Sequence, residues 1–223
     1  MACIEKIYHL PTLVDNDSCN ANCNFCAGKY LRPQAKENSK IIYFGGVPGV
    51  GKTTLGKLIT DYIPSINYIS SGEIKGIEAK RRFNQNLSSL NQEQTYILNS
   101  WFFDKLKSEK QKGVYLVDTH YTYPLPDKKF VKLLHDKSVK IIDLFILVEA
   151  EANEIAQRRI NRGRKKDSVN INFIKEEIKN EREEAYHLSE MFDKPLIKLS
   201  NNDTLERSIH SLYFNLKDYI KKW

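Results

Sequence analysis

Apolar and polar residues follow one another along positions 40–223 in blocks that predict alternating strands and helices. Short, nearly continuous apolar runs predict buried strands at about 40–45, 66–70, 114–118, 141–148 and 196–199. Apolar residues at helical spacing predict helices at about 52–62, 90–112, 170–192 and 202–220, with a short one near 130–135. Strands that alternate with helices imply a parallel sheet with right-handed crossovers, so we expect an α/β fold.

The first 39 residues do not continue this pattern. A turn is predicted around 15–17, and the polar stretch from Gln34 to Ser39 is typical of a linker. A chain of 223 residues is longer than the most common domain size. We therefore expect one α/β domain at 40–223, preceded by a Cys-rich extension and linker at 1–39.

The composition narrows the classes of partner. The chain has 35 Lys and Arg against 28 Asp and Glu, a net charge of +7, which favours a polyanionic ligand such as a nucleotide or RNA, or serves solubility alone. It contains no run of about 18 apolar residues, and its first residues do not form a secretory signal. We expect a cytoplasmic protein without a membrane partner, and the sequence leaves its oligomeric state open.

A glycine-rich loop between the first predicted strand and helix carries the strongest chemical signal. The loop comprises Gly46, Val47, Pro48, Gly49, Val50, Gly51, Lys52, Thr53 and Thr54. Glycines permit backbone angles that turn successive N–H groups inward around a triphosphate at a helix N-terminus. In P-loop proteins with this spacing, the Lys contacts the β- and γ-phosphates and the next hydroxyl ligates Mg²⁺. We assign these roles to Lys52 and Thr53 and expect ATP as the ligand.

Asp118 ends a buried apolar strand, at the edge where ligands bind in an open α/β sheet. It is a candidate partner for Mg²⁺, acting through a water that ligates the ion. A turn-capping role for Asp118 is the alternative.

Arg158 and Arg162 are four residues apart, so both side chains point the same way from a helix. Their planar guanidinium groups can grip phosphate oxygens two at a time. They belong to six basic residues between 158 and 166, which could instead contact RNA or form a solvated face.

Four motifs occur in order: Gly-Val-Pro-Gly-Val-Gly-Lys-Thr-Thr at 46–54, Asp-Thr-His at 118–120, Val-Glu-Ala at 148–150 and Arg-x₃-Arg-Gly at 158–163. Together they resemble the P-loop nucleoside monophosphate kinases, above all archaeal adenylate kinase and the short adenylate kinase of the eukaryotic nucleus. The resemblance covers about 40–200. It implies a five-stranded parallel sheet with helices on both faces, an acceptor-binding region at about 71–112 and a short lid at about 160–168.

The resemblance also implies a reaction, the transfer of the γ-phosphoryl group from Mg-ATP to a monophosphate such as AMP. Lys52, Arg158 and Arg162 would neutralise the transferring group. His120 would belong to the catalytic neighbourhood, or be a hydrogen-bonded loop histidine.

Ser71 and Gly72 would donate hydrogen bonds to the acceptor nucleotide, although Ser71 could instead be a helix N-cap. The sequence departs from the longer adenylate kinases at Gly76, where they carry an arginine that clamps the acceptor phosphate. Nearby substitutes for this arginine are Lys80, Arg81 and Arg82.

Cys19, Cys23 and Cys26 form a C-x₃-C-x₂-C pattern that resembles the [4Fe–4S] loop of radical S-adenosylmethionine enzymes. The chain before Lys40 is too short for the barrel of those enzymes, so radical chemistry by this chain alone is not expected. With Cys3 as a fourth ligand the same thiolates could hold Zn²⁺. Unliganded surface cysteines are the remaining interpretation.

Three functional hypotheses follow. The first is the nucleoside monophosphate kinase. The second is an ATPase that acts as a ribonucleoprotein or ribosome assembly factor, and the third is a metal-binding protein that contacts a partner through the cysteine segment. The missing arginine at position 76 favours the second, and the pair Arg158 and Arg162 favours the first.

Overall fold

A computed structural model describes residues 39–109, 113–125, 129–164 and 167–221 of the chain. Apart from Ser39, the Cys-rich extension lies outside these residues, as do Cys3, Cys19, Cys23 and Cys26. An iron–sulfur or zinc site at these cysteines stays a prediction.

The central sheet is built from five parallel strands. The described strands are β1 (Ser39–Gly45), β2 (Ile66–Ser70), β3 (Gly113–Asp118), β4 (Thr122–Pro124), β5 (Phe130–Lys132), β6 (Leu144–Glu149) and β7 (Leu196–Ser200). The sheet has the order β2-β3-β1-β6-β7, and every neighbouring pair is parallel. Strands β4 and β5 form a separate antiparallel pair. The predicted α/β fold with a five-stranded parallel sheet is confirmed.

Helices connect the parallel strands. The described helices are α1 (Lys52–Tyr62), α2 (Ser71–Phe83), α3 (Gln92–Glu109), α4 (Asp136–Val139), α5 (Ala152–Arg162), α6 (Ile171–Met191) and α7 (Leu205–Ile220), with a 3₁₀ turn at Leu87–Ser89. None of them is long and apolar enough to cross a lipid bilayer.

Strand alternation divides the core into two apolar layers. Ile42 and Phe44 of β1 pack in the layer that contains α1, α5 and α7. Ile41 and Tyr43, which alternate with them, pack in the layer that contains α3 and part of α6. Because both faces of the sheet are covered, β1 is apolar along most of its length, as expected for a buried parallel strand.

The register of the sheet brings three chain segments to one edge. Asp118 at the end of β3 lies opposite Phe44 of β1 and opposite Ser70 of β2. The glycine-rich loop follows β1 directly, and α2 follows β2 directly. The loop, the start of α2 and Asp118 therefore meet at the carboxyl edge, where open α/β sheets bind ligands.

The helix predicted near 130–135 is wrong. Residues Phe130–Lys132 form β5, which pairs with β4, and the helix begins only at Asp136. Val131 is buried and Lys132 is exposed, so this segment follows the two-residue period of a strand. Short apolar runs fit both kinds of element, and here antiparallel pairing with the neighbouring strand β4 decides.

The third helix begins at Gln92, slightly later than predicted. The backbone N–H of Gln94 donates to Asn91 Oδ1 at 2.9 Å, and the N–H of Asn91 donates to Gln94 Oε1 at 3.0 Å. This reciprocal pair is a capping box, which satisfies two backbone donors at the helix start.

Gly56 in α1 makes room for an aromatic ring of β2. A Cβ atom at position 56 would lie 2.4 Å from Cε2 of Tyr68. The Tyr68 hydroxyl donates to Asp118 Oδ2 at 2.7 Å, which holds the ring in place. The absence of a side chain at Gly56 thus lets Tyr68 reach the carboxyl edge of the sheet.

We predict opposite effects for the same substitution at two helical glycines. Alanine favours a helix over glycine by about 1 kcal/mol. At Gly76 the nearest atom to a new Cβ is 3.8 Å away, so Gly76→Ala should raise the free energy of unfolding by about 0.5–1 kcal/mol. Gly56→Ala should lower it by about 1–3 kcal/mol because the methyl group collides with Tyr68.

Urea denaturation of both variants measures these changes, with Gly76→Ala as the matched control. Equal stabilisation by the two substitutions would contradict the packing described for Tyr68.

Candidate active site

One cavity of about 1300 Å³ opens at the carboxyl edge of the sheet. Most of the residues predicted for nucleotide, metal or phosphate contacts line it, namely Pro48, Gly49, Gly51, Lys52, Thr53, Thr54, Ser71, Gly72, Asp118, His120, Arg158 and Arg162. Gly46 and Val50 also belong to the loop and are buried, and their carbonyl groups accept hydrogen bonds from Lys52 and Arg158, respectively.

Two glycines of the loop cannot be replaced without strain. Gly46 has a φ of 145°, and a Cβ there would lie 2.4 Å from the carbonyl oxygen of Val148. Gly51 has a φ of 101°, and its Cβ would lie 2.3 Å from Asn201 Nδ2. These backbone angles are open to glycine and rarely to other residues, so the glycines permit the conformation that the loop adopts.

Lys52 is buried inside the loop, with 5% of its surface exposed. Its ammonium donates to the carbonyl of Gly46 and, at 3.2 Å, to that of Val47. Burial lowers the pKa of Lys52, and the nearby carboxylate of Asp118 opposes this shift. The side chain thus lies against the loop that is predicted to wrap phosphate.

Thr53, Tyr68 and Asp118 form an oxygen cluster at the start of α1. The hydroxyls of Thr53 and Tyr68 each donate to Asp118 Oδ2 at 2.7 Å. A hydroxyl and a carboxylate are hard oxygen ligands of the kind that Mg²⁺ prefers, and Mg²⁺ in nucleotide sites is held by few protein groups. The residues present therefore fit the predicted ion, with Tyr68 orienting the carboxylate.

His120 supports the loop from the other side. Its Nδ1 lies 2.6 Å from the carbonyl oxygen of Gly46, so Nδ1 carries the proton and Nε2 is left as an acceptor. Burial and the charge of Lys52 hold the pKa of His120 well below its usual value. The ring is neutral at physiological pH.

Glu181 of α6 fixes the segment that follows His120. Its carboxyl group accepts from the backbone N–H groups of Tyr121 at 3.1 Å and Thr122 at 2.7 Å, and from the Thr122 hydroxyl. Burial raises the pKa of Glu181 to about 7. Sequence reasoning missed this residue because it lies in a charged helix without a distinguishing pattern.

Arg158 and Arg162 both line the cavity, and each has a protein partner. Arg158 donates to the carbonyl oxygens of Val50 at 3.2 Å and Asn201 at 2.8 Å. Arg162 pairs with Asp167. Arg158 thus stabilises the loop by hydrogen bonding to Val50. The ion pair of Arg162 connects the end of α5 with the segment before α6.

Arg159 was missed as a site residue, although it belongs to the basic run. Its side chain is buried, with 2% of the residue exposed. Its Nε donates to the carbonyl oxygen of Pro48 at 2.9 Å, and its Nη1 donates to that of Ser168 at 2.8 Å. The same Nη1 lies 2.8 Å from Glu177 Oε2. Its Nη2 has no hydrogen-bond partner among the described residues. Arg159 is buried because α5 packs on the loop. Helical spacing alone does not reveal this packing.

The far half of the cavity is formed by α2, α3 and the segments between them. Ser71, Gly72, Lys75 and Asn99 line it, together with the apolar side chains of Leu87, Leu90 and Leu98. The residue at the N-cap position of α2 is Ser70, so the alternative role of Ser71 as the cap is wrong. Ser71 is instead a buried residue of the first turn.

The proposed substitutes for an arginine at position 76 do not line the cavity. Arg81 and Arg82 both bind the carboxylate of Glu78, Arg81 at 2.6 Å. Lys80 is exposed. These three cations therefore do not contribute to the cavity wall.

Among the described residues, no group of three or more His, Cys, Asp or Glu side chains is arranged to hold a metal ion. The four cysteines lie outside the described residues.

Comparisons with known proteins agree with this architecture. A solved structure of shikimate kinase from Acinetobacter baumannii in complex with shikimate superposes with a TM-score of 0.54 at 13% identity. The match covers 83% of this chain and 95% of that one, and at this identity it shows the fold alone. A search of curated proteins gives no match. A family model described as an AAA domain matches residues 45–175, more than half of the chain, which therefore belongs to this AAA domain family.

Proposed function

We propose that the chain is a phosphotransferase that moves the γ-phosphoryl group of Mg-ATP to a nucleoside monophosphate, most simply AMP. One observation carries this proposal. A single cavity holds the glycine-rich loop and the arginines of α5 in one half and a second recess, formed by α2 and α3, in the other. Two substrates can therefore meet in it.

The first half suits a triphosphate. Backbone N–H groups of the loop and the N-terminus of α1 favour anionic oxygens. Lys52 supplies a positive charge from within the loop, and Arg159 and Arg162 supply others from α5. Such fixed cations neutralise charge that spreads over the transferring group.

Thr53 and Asp118 would hold Mg²⁺, and Tyr68 would keep the Asp118 carboxylate in position. When bound, the ion supplies charge neutralisation of the β- and γ-phosphate oxygens.

The reaction needs no covalent enzyme intermediate. An oxygen of the acceptor phosphate forms the new bond to the γ-phosphorus, and the bond to the bridging oxygen breaks as ADP leaves. The protein contributes alignment and fixed charge, the main terms in phosphoryl transfer. The acceptor region at 71–112 and the lid at 160–168 remain proposals, supported by the presence of Ser71, Asn99, Arg162 and Ser168 in the cavity lining.

A coupled assay with ATP, Mg²⁺ and each of the four ribonucleoside monophosphates tests the kinase proposal. We expect nucleoside diphosphate to form only when a monophosphate is present. ATP loss at the same rate without any monophosphate would contradict the kinase and favour the hydrolysing assembly factor.

Lys52→Ala should lower kcat by on the order of 10²–10³, because the site loses a fixed cation at the transferring group. Lys57→Ala is the matched control, since Lys57 is exposed on the same helix. Initial rates at saturating substrates measure the effect, and thermal melts verify folding. A Lys52→Ala enzyme with the rate of the control would rule out this site.

Tyr68→Phe should raise the Mg²⁺ concentration needed for half-maximal activity about tenfold, because the Asp118 carboxylate loses an orienting hydrogen bond. Activity at saturating Mg²⁺ should recover. Tyr62→Phe, at a half-exposed tyrosine of α1, is the control. An unchanged Mg²⁺ dependence would remove Tyr68 from the metal site.

A further inference from the structure

A buried lysine, Lys75, lies in the half of the cavity formed by α2 and α3. Lys75 lies in the second turn of α2, is 7% exposed and lines the cavity. Its Nζ donates to Asn99 Oδ1 at 2.7 Å and lies 5.7 Å from the centre of the Phe102 ring. Ser71, four residues earlier, lines the same cavity, as expected for one face of a helix.

The charge of Lys75 is not balanced by the described protein. An ammonium group has three donors, and the described contacts of Lys75 are one amide oxygen and one aromatic ring. No carboxylate among the described residues forms an ion pair with it. Burying a cation without a counter-ion is costly, so the site favours an anion that arrives with a ligand.

Burial lowers the pKa of Lys75 to about 8. Its ammonium form therefore still predominates at neutral pH, and a positive charge is available for a ligand.

Asn99 holds the lysine in this position. Its Nδ2 donates to the carbonyl of Thr95 at 3.0 Å, which directs Oδ1 towards Lys75. Asn99 is itself 2% exposed. The lysine and the asparagine thus form a built pair inside a recess whose other walls include Leu87, Leu90 and Leu98.

The other cations of α2 are excluded as ligand-binding groups of the cavity, either by their ion-pair partners or by their exposure. Arg81 and Arg82 are committed to Glu78, and Lys80 lies on the exposed face. Lys75 is therefore the cation through which α2 can reach a ligand in the cavity.

We propose that Lys75, oriented by Asn99, binds the phosphate of the acceptor, so that the acceptor must carry a phosphomonoester. The apolar recess beside it then receives the nucleoside. This inference rests on the proposed function, since it names the group that recognises the second substrate.

Binding measurements on the full chain test it without turnover. Each ribonucleoside monophosphate and its uncharged nucleoside is titrated by calorimetry into the wild-type chain, Lys75→Met, Lys75→Arg and the control Lys80→Met. We expect the wild type to bind at least one monophosphate at least tenfold more tightly than its nucleoside.

Lys75→Met should weaken monophosphate binding roughly 10- to 100-fold and leave nucleoside binding within twofold. Lys75→Arg should retain part of the preference for the monophosphate over the nucleoside. Lys80→Met should retain all of this preference. Binding of a non-hydrolysable ATP analogue with Mg²⁺ should be the same in all four chains. If Lys75→Met does not fold, Lys75→Gln replaces it.

The inference is overturned if the wild type binds no monophosphate better than its nucleoside, or if Lys75→Met keeps the wild-type preference. Failure of the proposed function looks different. If the chain binds a monophosphate through Lys75 but forms no diphosphate, the subsite is supported and the kinase activity is contradicted. Diphosphate formation by Lys75→Met with an unchanged acceptor KM rejects the subsite alone.

Discussion

The register of β3 between β1 and β2 is the constraint on which the site depends. Asp118 stands opposite Phe44 and Ser70, so the ends of three strands coincide. The glycine-rich loop, the oxygen cluster of Asp118 and the start of α2 are consequently fixed by backbone pairing and by two buried apolar layers. A shift of one residue in this pairing would turn every side chain of a strand to the other face and separate the groups.

Buried charge is distributed unevenly around the cavity. The positive charge of Lys52 lies near the carboxylate of Asp118, and that of Arg159 lies near the carboxylate of Glu177. The protein therefore partly neutralises the positive charge in the triphosphate half of the cavity. Lys75 has an amide oxygen and a ring as its described contacts. Cations that lack full compensation in the protein favour anionic ligands, because a ligand then satisfies donors that burial has removed from water.

Supporting contacts converge on the carbonyl groups of the loop. Lys52 and His120 donate to Gly46, and Arg158 and Asn201 donate to Val50. These bonds come from α1, from the segment after β3, from α5 and from the residue after β7. The loop is therefore held in one shape by groups distant in sequence, which is how a site obtains a preorganised set of donors.

The sequence by itself determined the strand and helix alternation, the glycine-rich loop and the positions of Lys52, Thr53 and Asp118, because periodicity and local backbone chemistry are encoded in adjacent residues. Only the tertiary structure decided that Phe130–Lys132 pairs as a strand, that Arg159 is buried between the loop and α6, and that Lys75 rather than its basic neighbours faces the cavity. Each of these outcomes depends on a partner outside the segment concerned, such as Thr122–Pro124, Glu177 or Asn99. Local pattern cannot identify such partners, since burial and charge compensation are set by the packing of whole elements.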